Sequence, residues 1–259
     1  MSASTPSSVS APVVIPRRTP ILRDRGSVRR DSLSAPRWSV VGTSKVSKDV
    51  EAGAVELRGL LTVGGKFSSS SLRGRGTLEV QGAIDITDRT KLRGTIRAGA
   101  TIHSGDLEVR GSVRSIGAIR IDRNGSIDGL LEAAHATADV LGLRGGAQLP
   151  GATRVTTLFT DLRAASTFGT ISGRSVLIHG KVPNLVDKTF FRDRLVTVQR
   201  IDADTVSLEG VDAAFVRSPQ IILGRGCHVT AVEGAIVRQH PTSYVGPESR
   251  TPPPYGLRR

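Results

Sequence analysis

Cysteine is almost missing from this sequence: Cys227 is the one thiol in 259 residues. That excludes an intramolecular disulfide framework and the clustered thiolates of a structural zinc site. Cys227 stands between Gly226 and His228 in a strand-like run, which predicts an inward, packed side chain. Aromatic residues are scarce too, with six Phe, two Tyr and one Trp, so the core strands offer no platforms on which nucleic-acid bases could stack. No apolar run approaches a membrane span, and Val13-Val14-Ile15 is too short for the centre of a secretory leader. A cytoplasmic location is the expectation. A sustained 3.6-residue periodicity is also lacking, which leaves no helical domain to predict.

What the chain has in quantity is glycine, 29 residues, set between short runs of Val, Ile and Leu. Gly76-Thr-Leu-Glu-Val-Gln-Gly82 returns 29 residues later as Gly105-Asp-Leu-Glu-Val-Arg-Gly111. Looser copies are Gly53–Gly59, Gly173–Gly180 and Thr205–Gly210. The unit reads apolar, polar, apolar, polar, Gly: a few residues of strand with alternate side chains inward, then a residue free to take positive φ. Such a unit cannot bury its apolar face alone, so copies must stack. The fold class predicted is all-β, a parallel β-helix or β-solenoid, occupying residues 38–237.

Residues 1–37 carry seven Arg against two Asp, with many Ser and Pro, and read as a disordered basic tail. Its candidate contact residues are Arg17, Arg18, Arg23, Arg25, Arg29 and Arg30. They could lie on an anionic membrane surface, an acidic protein partner or, without sequence specificity, nucleic acid; a linker that binds nothing is the bland alternative. Residues 238–259, with Pro252-Pro253-Pro254, read as a second disordered tail. Two internal stretches look irregular: 145–172, with Gly145-Gly146 and the bulky Phe159 and Phe168, and 183–194, with Phe190-Phe191. Trp38, Val40 and Val41 form the first strand candidate and are expected to cover or join the bottom of the stack, since a terminal coil leaves an unpaired edge.

No catalytic set gathers in the sequence. The acids Glu56, Glu79, Glu108, Glu132 and Glu209 are spread singly among arginines, as on a solvated face, and the five histidines are scattered. Six-residue steps of aliphatics (Ile96 to Ile102, Ile121 to Ile127, Leu223 to Val229) are those of acyltransferase β-helices, but they are not sustained. Gly142-Leu-Arg-Gly145-Gly146 matches no phosphate-binding loop. No catalytic, cofactor-binding or metal-ligating residue is therefore assigned. Two alternatives stay beside a scaffold reading: a β-solenoid enzyme acting on acyl donors or carbohydrate, and a basic adaptor binding membrane or nucleic acid through its tails.

With the repeats laid out, the chain resembles the bactofilins, polymer-forming cytoskeletal proteins of bacteria and archaea. The likeness lies in Gly-x-Leu-Glu-Val-x-Gly at 76–82 and 105–111, in Gly117-Ala-Ile-Arg-Ile-Asp122, and in the stretch Val206 to Glu233 with Gly224-Arg-Gly-Cys-His-Val229. It covers roughly residues 40–237. The resemblance implies a right-handed β-helix that assembles end to end into filaments without nucleotide. Such filaments serve cell shape, the envelope or polar complexes, often on the inner face of the membrane. It also implies a polymer contact at Phe215, with Val216, Ile221, Ile222, Val229 and Val232 around it. Read from the residues alone, Phe215 is equally a core residue within one coil. The short hydrophobic start of many family members has no counterpart in the Ser-rich Met1–Ser10.

Overall fold

A computed structural model describes residues 21–181 and 196–246. Its strands are β1 (Leu22–Arg30), β2 (Leu33–Val46), β3 (Val50–Val63), β4 (Phe67–Val80), β5 (Ile84–Ala98), β6 (Ile102–Ser115) and β7 (Ala118–Ile121). They continue as β8 (Asn124–Glu132), β9 (His135–Leu162), β10 (Ser166–Gly180), β11 (Val196–Glu209), β12 (Val211–Leu223), β13 (His228–Gln239) and β14 (Tyr244–Val245). All lie in one sheet whose pairings are parallel, wound into a β-solenoid of about 12 turns. No helix among the described residues is long and apolar enough to cross a membrane.

One turn takes about 17 residues: Leu33, Val50, Phe67 and Ile84 pair in succession up the stack. In β3 three pairs of side chains point inward, Val50 with Ala52, Val55 with Leu57, and Leu61 with Val63, all buried. Each pair marks one side of a three-sided coil, and the residue between each pair points out, as strand alternation requires. The 29-residue repeat is thus not the coil. Leu78 and Val80 occupy the third side of their turn, whereas Leu107 and Val109 occupy the second side of theirs. The sides are interchangeable in sequence because each needs only an apolar, polar, apolar triplet and a corner.

The corner after the second side is a file of glycines. Gly26, Gly42, Gly59, Gly76, Gly94, Gly111, Gly129 and Gly145 pair coil upon coil, and every one has positive φ. From Gly42 upward, a β-carbon would collide with the carbonyl oxygen of the glycine below. Neither backbone can yield without breaking the ladder, so side chains are excluded both by conformation and by space.

Several sequence expectations are corrected here. Residues 22–37 are not a tail, since β1 and the start of β2 lie within 1–37. Strand alternation turns only every second residue inward, so Leu22 packs on the core while Arg23, Arg25 and Arg29 are exposed. The stretch 145–172 is strand, lying within β9 and β10 apart from the turn between them, with one register shift between Phe168 and Thr170. Gly145 is the last corner of the glycine file, Phe168 is fully buried and Phe159 faces out. Residues 238–246 likewise belong to the end of β13, a turn and β14. The irregular segment expected at 183–194 lies outside the described residues, between β10 and β11, where the pairing step grows to 30. Cys227 is buried as expected, and burial pushes its thiol pKa up, away from reactivity.

Gly94→Ala should therefore lower unfolding stability by about 3 kcal/mol, the upper range for backbone strain. Gly26→Ala, where nothing stands in the way of a β-carbon, should cost only about 1 kcal/mol for its left-handed conformation. Denaturant midpoints of the two variants check the difference.

Candidate functional site at the ends of the stack

A solenoid has two ends, and each must do something with an unpaired strand edge and the interior it exposes. The two ends of this chain solve the problem in opposite ways.

At the first coil the inward file that holds Val40, Leu57, Leu92 and Val109 above begins instead with Asp24. Its carboxylate is 3% exposed. Arg30 donates to it through Nη2 at 2.6 Å and Nε at 3.3 Å, Trp38 through Nε1 at 3.2 Å, and Ser44 through Oγ at 3.0 Å. Arg30 and Ser44 also occupy inward positions of the third side, beneath Val63 and Leu61. The floor of the column is thus a polar plug rather than an open apolar lumen. Burial alone would raise the Asp24 pKa, but the hydrogen bonds from Arg30, Ser44 and Trp38 and the charge of Arg30 outweigh it and hold the carboxyl below its usual range. The edge of β1 around the plug is basic, with Arg23, Arg25 and Arg29 exposed.

At the last coil the described residues leave most of the interior uncovered. β13 pairs with β12 below, and above it the described residues place only Tyr244 and Val245, over His228 and Val229. His228 stacks on the Tyr244 ring, with centroids 5.7 Å apart, and its Nδ1 lies 3.0 Å from Asp212 Oδ1. Beyond that short lid, Val232 and Ile236 continue the inward files of Val216 and Ile221. Ile236 is 38% exposed and its neighbour Val237 is 66% exposed.

The residues expected to form a polymer contact are not brought together. Trp38 and Val40 are core residues one coil above the floor, each 1% exposed, and Trp38 serves the plug from inside. Val41 is exposed, on the outer surface of the second side rather than at an end. Val216, Ile221 and Val229 are fully buried, and Ile222 is exposed on the second side. Phe215 is half-buried on the outside of β12, with the Arg200 guanidinium 4.8 Å above its ring centroid. Only Val232 is in the last coil's open interior. Of the basic candidates, Arg17 and Arg18 lie outside the described residues; Arg23, Arg25 and Arg29 edge the first coil, and Arg30 closes the plug. Sequence reasoning missed Asp24, Ser44, Ile236 and Val237. An Asp at an inward position of an otherwise apolar file was the available signal for the first.

Elsewhere the outer surface is knitted by ion pairs between adjacent coils, such as Arg97 with Glu79 at 3.2 Å and Arg114 with Glu132 at 2.9 Å. His103 is held between Asp85 and Asp122, 2.9 Å from each. The hydrogen bond to Asp85, then that to Asp122, raises its pKa against the opposing effect of burial. Among the described residues no three His, Cys, Asp or Glu side chains form a group that could hold a metal ion. No protein-family model, no curated protein and no solved structure matches the chain. The class its geometry defines is the parallel β-solenoid.

Asp24→Ala should strip Arg30 of its partner and cost the first two coils about 2 kcal/mol, speeding amide exchange across Leu22–Val46 about thirtyfold while leaving β5 and β6 unchanged. A carboxyl whose folded pKa is depressed stabilises above its unfolded pKa, and that contribution is lost as pH falls through the folded value. Exchange in wild type and variant should therefore differ at pH 7 and converge as the pH falls through the depressed folded value of Asp24.

Proposed function

We propose that this chain is a non-enzymatic scaffold subunit whose solenoids join end to end into filaments without nucleotide. The observation that carries the reading is the last coil: among the described residues β13 is paired from above only at His228 and Val229, and Ile236 and Val237 are exposed beside a half-buried Val232, above an apolar interior. Strand edges and apolar surface of this kind are covered by association in most proteins. A second copy can supply the missing coil by continuing the ladder at the 4.8 Å spacing that already relates the turns. The resemblance to the bactofilins supports the same reading and suggests service in cell shape, the envelope or polar complexes, from the cytoplasmic side.

Negative-stain microscopy of the purified chain, without nucleotide, is expected to show filaments. Ile236→Glu with Val237→Glu should leave the circular dichroism of a folded solenoid and yield separate particles, because two carboxylates would have to be buried in the joint. Wild-type protein that remains monomeric across concentration and salt overturns the proposal, as do filaments undiminished in the double variant.

A further inference from the structure

The outer surface of the second side differs from the other two. Two files run up it. In the first, Arg23, Ser39, Glu56, Arg73, Lys91 and Glu108 pair in succession through the first six coils. In the second, Arg25, Val41, Arg58, Arg75, Arg93 and Arg110 do the same. Eight of these twelve residues are basic and two acidic. Four arginines in consecutive coils stand about 4.8 Å apart, so they span roughly 15 Å. Glu56 and Glu108 are taken up by Arg58, Arg73, Arg89 and Lys91. Among the described residues Arg75, Arg93 and Arg110 have no ion-pair partner, and all three are exposed. Stacked like charges repel one another, and a neutralising counter-surface removes that cost.

Higher on the same side the first file changes character. It continues through Ser126 and Gly142 to Phe159, Leu177, Ser207 and Ile222. Phe159 is 48% exposed, Leu177 37% and Ile222 41%. A side chain at Gly142 would collide with the Phe159 ring, so the glycine leaves the ring room to lie along the coil beneath. With Val41, four of the nine exposed large apolar side chains among the described residues lie in these two files, whereas three others belong to the last coil and its lid. The apolar residues are therefore concentrated on the surface that carries the unpaired arginines.

We infer that the outer surface of the second side docks on an anionic phospholipid bilayer, with arginines of the lower coils on the headgroups and Phe159, Leu177 and Ile222 entering the interface above them. Basic residues near an anionic membrane each contribute about 1 kcal/mol, and apolar side chains on the same plane add burial at the headgroup boundary. Duplex nucleic acid would satisfy the arginines but leave the apolar file in water, and Phe159, the one ring in that file, offers no succession of rings for bases. The inference is independent of end-to-end joining, since it uses neither end of the stack.

Flotation of the full chain with vesicles avoids confusion with filaments that sediment by themselves. Vesicles of phosphatidylcholine with about one third phosphatidylglycerol should carry the protein upward, and pure phosphatidylcholine vesicles should not. Arg75→Glu with Arg93→Glu should reduce the partition coefficient at least about tenfold. Arg97→Glu with Arg114→Glu, the same charge change on the third side, should reduce it less than about threefold. Phe159→Ser with Leu177→Ser should lower it about fivefold while leaving its salt dependence intact. Thermal unfolding of each variant reports that the solenoid is intact. Equal losses from both charge reversals, no loss from either, or equal flotation with the neutral vesicles overturns the inference. Affinity for duplex DNA that depends on Arg75 and Arg93, without vesicle flotation, overturns it in favour of a nucleic-acid surface.

Discussion

Everything in this molecule depends on register: each residue sits one strand spacing above its counterpart in the turn below, in a parallel ladder that allows a slip of only one residue here and there. Register turns a linear sequence into vertical files, and each file has a single requirement. The inward files are mostly apolar wherever a further coil lies on both sides, with small hydroxyl residues such as Thr90 and Ser104, hydrogen-bonded to each other, set among them. Up to Gly145 the corner file after the second side is glycine, because two backbones approach there more closely than a β-carbon permits. Outward files are free, and how they use that freedom distinguishes the sides. The first and third sides pair opposite charges between coils, as in Asp85 with His103 and Glu79 with Arg97. The second side does so in one file, as in Lys91 with Glu108, and in the other stacks Arg58, Arg75, Arg93 and Arg110 one upon the next.

The same logic makes the ends exceptional. An inward residue of the first or last turn has a neighbour on one side only, so the rule that fixes its character elsewhere is relaxed. The chain uses this at the floor by placing a carboxylate, a guanidinium and a hydroxyl where hydrocarbon would stand, tied together with the indole of Trp38. A buried ion pair of this sort contributes little net stability, but it closes an opening that would otherwise hold wet apolar surface. At the roof no such substitution is made, and Ile236 keeps the identity its file would dictate if a further coil were present.

The architecture could be read from the sequence because alternation and glycine corners are local, and Val55 with Leu57 or Leu61 with Val63 declare two sides directly. The length of the coil could not. Three sides with the same pattern let a motif reappear on whichever side it fits, so the likeness of 76–82 to 105–111 reports shared local geometry across a change of side. The first coil was hidden by composition: Arg23, Arg25 and Arg29 suggest a solvated tail, and only pairing with β2 shows that Leu22 and Asp24 face inward between them. Phe159 and Phe168 look alike as bulky interruptions, yet one lies outside over Gly142 and the other fills the lumen, a difference set by the phase of the strand. The ends were the least legible part, since burial at Val216 or Ile221 and exposure at Ile236 follow from which coil is last, and no single segment carries that information.

The contrast between floor and roof also bears on synthesis. Chains leave the ribosome amino end first, so the polar plug and the coil above it are available as a finished template before any later turn exists. Each new stretch of about 17 residues then needs to find only the edge just laid down, a search among near neighbours in sequence despite the molecule's length. Folding of this kind advances like a wall rising course by course. The lumen of the foundation is closed by its polar plug at the outset, and the strand edge of the newest course receives the next.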